Sequence, residues 1–557
     1  MPRISAWLLG SILLIGSQIS AQTLEETHHE SIDDPYISAP RSSMQKGPAN
    51  RVFNNGYFTT QVNVDENGMD IIGDAGNETS LAVDPNNPNR IVIGWRQFDT
   101  VSSNFRQAGY GYSLDGGITW TFPGVLNPGV FRSDPVLDFD KDGNFYYNSL
   151  QGTFDCDVYK IDDGGVEWNS PIPAFGGDKQ WMRIDRTEGI GSGNNYSNWN
   201  ISFSTCDGDL TRSTDGSQSF EVCTDVIENP RWGTLAVDAD GTLYTCGQIG
   251  SGLIVAKSTT AKDPNNPVSW DSFSMVDLDG SLSIGGAVNP QGLLGQMWVD
   301  TDISGGVGNG NVYVLASVNR SSISDNGDVM FAKSTDGGVI FSSPTRINTD
   351  VGIDNVQWFG TMAVAPNGRI DVVWLDTRDS VSGSNDSVLY YSFSDDQGET
   401  WTDNIAISES FNPNIGYPQQ DKMGDYFDMV SDNNGVHLAW ANTINEGQDV
   451  YYTHIDPVEI LGVNDLSSKF ENAKVYPNPF NNKTTISFSV SNNENVTVSI
   501  YDILGRNQAI LHNGVYSGNQ NISWDGTNGK GQRLSNGIYF VEIKSDNKKS
   551  ILKVILK

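Results

Sequence analysis

Residues 81–120 read LAVDPNNPNRIVIGWRQFDTVSSNFRQAGYGYSLDGGITW. An apolar strand closes on a polar turn, a second strand follows, and a later strand runs into Ser-Leu-Asp-Gly-Gly before Trp120. The opening phrase recurs as VLDFDKDGNFYY from Val136, MRIDRTEG from Met182 and LAVDADGTLYTCG from Leu235. It returns as MWVDTDISGGVGNGNVYVLAS from Met297, MAVAPNGRIDVVWLD from Met362 and MVSDNNGVHLAWAN from Met429. These seven copies start roughly 45 to 70 residues apart, the spacing of a repeat fold. The closing phrase recurs as SDDQGETW at 394–401, and more loosely as STDGGVIF from Ser334, STDGSQSF from Ser213 and IDDGGVEW from Ile161. In such a hairpin Asp caps backbone amides, Gly takes the positive φ, and Trp packs between sheets. The unit therefore reads as four antiparallel strands, one blade, and the fold class as all-β: a seven-bladed β-propeller over 57–457 followed by a small Ig-like β-sandwich. The last copy runs out after QDVYYTHI and leaves a bare sheet edge. Residues 57–64, YFTTQVNV, alternate and are expected to complete that last blade.

Composition agrees with a large β protein rich in turns: 557 residues with 59 Gly, 10% aromatic and 18% charged. The net charge of −34 argues against nucleic acid and against an anionic membrane, both of which demand Lys and Arg. Residues 1–21 read as a secretory signal: Arg3, a short apolar run from Leu8 to Ile15, then Ile19-Ser20-Ala21 before cleavage. Residues 22–56 are expected to be a disordered leader, and no segment is long and apolar enough to span a membrane. Four cysteines in an exported chain favour disulfides, and of the three connectivities Cys206 with Cys223 is preferred because both fall within one repeat. DFDKDGN at 138–144 mimics the start of a calcium loop, but the same position holds hairpin turns in other copies, so the turn is the expectation and Ca2+ the alternative; no other cofactor and no metal ligand set is expected.

The repeated Ser-x-Asp-x-Gly-x-Thr-Trp phrase resembles the Asp-box, or bacterial neuraminidase repeat, of the sialidase superfamily, over about residues 77–456. The resemblance implies that Asp115, Asp336 and Asp396 are structural, on the face away from any active site. Residues 458–473 read as a linker. Beyond it, YPNPF, IYDILGR, NGIYFVEI and the basic terminal strand with Lys548, Lys549 and Lys553 occur in order across 474–557. They resemble the type A sorting domain of type IX secretion substrates in the Bacteroidetes. That resemblance implies the type IX machinery as a partner, and a product secreted or attached to the outer cell surface.

In a propeller, the residues just before each innermost strand ring the channel mouth. The copies place there Glu78, Arg132, Asp134, Lys179, Trp181, Arg231, Trp232, Trp358, Lys422, Asp425 and Tyr426. Aromatic rings stack on sugar faces and charged groups fix hydroxyls and carboxylates, so the pattern points to a glycan or glycoconjugate. By that ring pattern Lys179, Trp181, Trp232, Trp358, Lys422 and Asp425 are expected to bind substrate; the sialidase resemblance further implies a Tyr nucleophile (Tyr426), proton transfer by Glu78 or Asp134, and clamps from Arg132 and Arg231. The family's Arg-Ile-Pro motif is missing; the nearest strand reads WRQF around Arg96. Three readings stay open: a sialidase-like glycoside hydrolase, a polysaccharide lyase, and a non-catalytic carbohydrate- or protein-binding propeller.

Overall fold

The computed structural model describes residues 34–161, 167–381, 383–460, 470–502, 506–545 and 549–557. The expected signal 1–21, the leader up to 33, the core of the IDDGGVEW turn, Ile503, Leu504 and Gly505 of IYDILGR, Lys548 and most of the linker lie outside them. The chain divides into two compact units, Met1–Pro457 and Val458–Lys557. Both are almost wholly β.

Among the described residues the first unit holds seven antiparallel sheets that follow the seven copies. Their innermost strands are Ala75–Val83, Arg132–Phe139, Trp181–Ile184, Leu235–Val237, Trp298–Thr301, Gln357–Val364 and Asp428–Ser431. Each touches the next, and the seventh touches the first, so the sheets stand around one axis as a β-propeller. Side chains stitch neighbouring sheets. Asp138 accepts from the Ile184 amide at 2.6 Å, Asp300 from Val364 at 2.9 Å, and Asp428 from Leu81 at 3.2 Å. Part of the chain's acidity is thus spent inside the fold, on backbone donors that strand geometry leaves facing the next sheet.

The seventh sheet closes with residues from the other end of the unit. Tyr57–Gln61 pairs antiparallel with Asp449–Ile455, as the alternation of 57–64 requires. The leader departs from expectation: it is ordered over 45–54. Arg51–Asn54 adds a fifth strand beside Tyr57–Gln61, and Gln45–Pro48 pairs with Met69–Ile72. For 51–54, pairing with the edge of the seventh sheet supplies the backbone partners; 45–48 finds them by making a separate two-stranded sheet with 69–72.

The turn chemistry explains the hairpins. Asp115 accepts from the Thr119 amide at 2.9 Å and hydroxyl at 2.7 Å, and Ser113 Oγ accepts from the Gly117 amide at 2.8 Å. Gly117 sits at φ 89°, and a Cβ there would collide with the Tyr452 ring. Trp120 then donates to Thr60 at 3.0 Å, locking the first sheet onto the closing strand. At 138–144, Asp140 accepts from the Asp142 and Asn144 amides, the same hairpin turn that Asp238 makes with Asp240 and Thr242. Cys206 and Cys223 form the disulfide, and Cys156 and Cys246 are buried thiols.

In the second unit five strands pair into one sheet, built on the long ribbon Thr484–Asp502 and Asn507–Trp524. Both ends of the second ribbon strand line one cavity of about 340 Å³, so the ribbon folds over on itself. Phe488, Val498, Ile500, Trp524, Val541 and Val554 form the core inside the fold.

Candidate functional site

The mouth positions share a backbone peculiarity. Glu78, Asp134, Lys179, Trp232 and Phe359 each lie three residues before the corresponding inner-strand position, and all have φ between 45° and 59°. The strand register slips at Glu78, Asp134 and Phe359, the mark of a bulge. A left-handed non-Gly residue costs roughly 1–2 kcal/mol. Because the same geometry holds at Trp232 and Phe359, the strain belongs to the repeat, which uses it to turn one side chain in five of the seven sheets.

Around the axis these turns assemble a buried cluster. Lys179 Nζ lies 2.6 Å from Asp425, 3.3 Å from Asp134 and 3.7 Å from Asp178. Lys422 Nζ lies 2.8 Å from Asp425 and 3.4 Å from Glu78. Arg96 Nη1 lies 3.2 Å from Glu78 and 3.9 Å from Asp134, while its other nitrogens donate to Asn77 and Gln420. Four carboxyls thus face three cations. Burial opposes ionisation of Asp134 and Asp425, but Lys179 with Arg96 and Lys422 outweighs it and holds both far below the usual carboxylate range. Burial likewise disfavours the Lys179 cation, yet Asp134, Asp178 and Asp425 raise its pKa well above normal. Glu78 is the odd group: burial pushes its carboxyl up to about 8 against the pull of Arg96, Lys179 and Lys422. A neutral Glu78 leaves three anions for three cations.

A hairpin covers this cluster. Between the fourth and fifth sheets, Ile284–Gly286 pairs with Asn289–Leu293. The Asn289 amide, fully buried, donates to Gly424 at 2.8 Å and accepts from the Met423 amide at 2.8 Å. Leu293 N–H donates to Asp425 Oδ1 at 2.8 Å, and Phe359 N–H to Leu294 O at 2.8 Å.

The expected site residues separate into groups. Glu78, Asp134, Lys179, Lys422 and Asp425 meet in the cluster, with Tyr426 and Trp181 packed beside it, their rings 5.4 Å apart. Arg132 is not among them: it pairs with Asp157 at 2.6 Å within the second sheet. Trp358 is buried against Phe359 and donates to Ser387. Arg231 lies 4.5 Å over the Trp232 ring, and these two are half-buried rather than buried. None of the other nine expected residues exposes more than 7% of its surface. Tyr426 does not stand as a free nucleophile: its hydroxyl donates to the Pro135 carbonyl at 2.9 Å, and burial raises its pKa well above normal. Sequence reasoning did not place Arg96, the arginine at the centre of the cluster, nor the covering hairpin. A charged residue inside the otherwise apolar strand IVIGWRQF was the one available signal for the former.

No curated protein matches the chain. Among solved structures, a protein of unknown function from Dyadobacter fermentans DSM 18053 is similar at 14% identity, covering 72% of this chain and 99% of that one, with a TM-score of 0.40. The sialidase of Trypanosoma rangeli is similar at 11% identity, covering 91% and 89%, with a TM-score of 0.37. PorZ of Porphyromonas gingivalis, a surface component of the type IX secretion system, is similar at 14% identity, covering 92% and 74%, with a TM-score of 0.28. No functional weight rests on likenesses this distant. No helix among the described residues is long and apolar enough to cross a membrane. Residues 474–557 match the secretion system C-terminal sorting domain, and this tail directs the chain through type IX export to the cell surface or the medium.

Proposed function

We propose that the chain is an exported seven-bladed propeller that binds a glycan or glycoconjugate at the mouth of its ring without cleaving it, and that its tail is a small Ig-like sandwich read by the type IX machinery. The observation that carries the binding reading is the state of the nominated catalytic groups. Tyr426 is spent on a backbone carbonyl, Asp134 is ion-paired with Lys179, and Glu78 is fully buried between Arg96 and Lys422. A glycosidase needs a nucleophile and a proton donor on either side of an accessible bond; a lyase needs an accessible base. The Arg231–Trp232 pair offers what recognition needs: a half-buried indole for a sugar face and a guanidinium for a carboxylate or hydroxyls. No cofactor enters this reading, and chelators are expected to leave binding unchanged.

The test is a panel of acidic and neutral glycans offered to the chain from residue 22 onward, read for binding, new reducing ends and unsaturated uronate absorbance together. Binding without either product is expected, weakened about tenfold or more by Arg231→Ala or Trp232→Ala. Turnover of any glycan would replace the binding reading with an enzymatic one.

A further inference from the structure

The 284–293 hairpin makes contacts of an unusual kind. Its Asn289 side chain gives one donor and one acceptor to the backbone of 423–424, and its Leu293 N–H gives a donor to Asp425. A pair of neighbouring sugar hydroxyls offers the same alternation of donor and acceptor, and a carboxylate flanked by lysines is a common hydroxyl partner. Gly295, where the hairpin ends, has φ 140°, and Gly285 within it φ 71°. On the other side Gly280–Ser281 pairs with Asn319–Arg320 of the fifth sheet, so the segment that can swing begins after Ser281. Outside these contacts, Ala287 O is held by Asn385 and Asn414, and Ile284 is exposed at 38%.

We propose that this hairpin is a hinged cover occupying, as an internal substitute, the place of a sugar unit, and that Asn289 is its latch. When it swings away, Gly424 O, Met423 N–H and Asp425 become free for the hydroxyls of one saccharide residue, with Lys179 and Lys422 behind them. The Arg231–Trp232 pair then holds a neighbouring part of the same ligand. This proposal rests on the glycan-binding reading above and adds its regulation: affinity is set by how often the cover stands open. A ligand that binds only the open form has its affinity reduced by the open fraction.

Amide hydrogen exchange followed by mass spectrometry tests the cover, and calorimetric titration with free N-acetylneuraminic acid, galacturonic acid and galactose tests the ligand. In the chain from residue 22 onward, peptides spanning 284–296 and 420–427 are expected to exchange together and ahead of the sheets. Asn289→Ala strips the latch, and is expected to speed exchange of both peptides at least tenfold and to strengthen binding of at least one of the three sugars by a similar factor. A second variant, Leu293→Pro, removes the N–H that reaches Asp425 and should act in the same direction. Exchange of the two peptides only together with the sheets, in wild type and both variants, overturns the cover whatever the sugars do. Faster exchange with no gain for any sugar overturns the saccharide reading on which the proposal rests.

Discussion

Replacing Glu78 by Gln isolates the one carboxyl in the cluster whose pKa burial raises despite two neighbouring cations. Glu78 is fully buried, 3.2 Å from Arg96 and 3.4 Å from Lys422, and its folded-state pKa is raised to about 8 from an ordinary 4.5. Between those two pH values the folded chain keeps a proton that the unfolded chain has released. Stability from this group is therefore fully present below pH 4.5 and lost as the pH rises through 8. At about 1.4 kcal/mol per pKa unit, the span amounts to about 5 kcal/mol, an order-of-magnitude figure for a group with no solvent screening. Gln keeps the shape but does not titrate. Wild type and Glu78→Gln should thus be equally stable near pH 4.5, and the variant progressively more stable toward pH 8. In a unit of this size that difference is worth roughly 5 to 10 °C in melting temperature. Scanning calorimetry of both chains at half-unit pH steps gives the comparison directly. Asp74, Asp209 and Asp428 also have raised pKa values and tilt both curves alike, so the difference between the chains is the quantity to read. Parallel curves, or a variant less stable at pH 7, would mean that Glu78 is ionised and paired with Arg96 and Lys422, and the neutral-acid reading would fail.

Lys179→Met should be the opposite case: it leaves Asp134, Asp178 and Asp425 short of a cation and costs about 3–5 kcal/mol, measurable as a large drop in denaturation midpoint. His454 is held down to about 4 by burial, with a further push from His437, so stability should be lost as the pH falls from 6.5 toward 4; His454→Gln should flatten that acid limb in the same melts. Trp120→Ala, which cuts the tie to Thr60 and empties a buried site between the first sheet and the closing strand, should cost about 3–5 kcal/mol, and limited proteolysis should then cut first near 51–64.

The fold was legible where local chemistry repeats. The turn aspartates and glycines announce each hairpin, and the alternation of YFTTQVNV announces a strand that needs a partner. The strands at 45–48 and 51–54 were not legible, because QKGP and RVFN carry neither alternation nor length; 51–54 becomes a strand by borrowing the edge at 57–61, and 45–48 by pairing with the distant segment 69–72. The phase of the repeat located the mouth, and five of the cluster's members were named from it. What it could not convey is access. Whether Asp425 meets solvent depends on Leu293, 132 residues away in the chain, and whether Arg96 is a clamp or an internal counter-ion depends on Glu78, Asp134 and Gln420 from three other segments. Arg132 misled for a related reason: its neighbour in sequence, Asp134, turns toward the axis through a left-handed bulge, while Arg132 stays on the sheet and finds Asp157.

The join between Tyr57–Gln61 and Asp449–Ile455 has a kinetic consequence. The earliest strand of the ring has to wait for the latest, so the circle cannot be completed until nearly the whole first unit has been made and has emerged. Closing so long a loop is slow, and during the delay two unsatisfied edges are available to strands of other chains. A holding factor that shields nascent edges would matter more for this molecule than for one whose sheets each finish with their own residues.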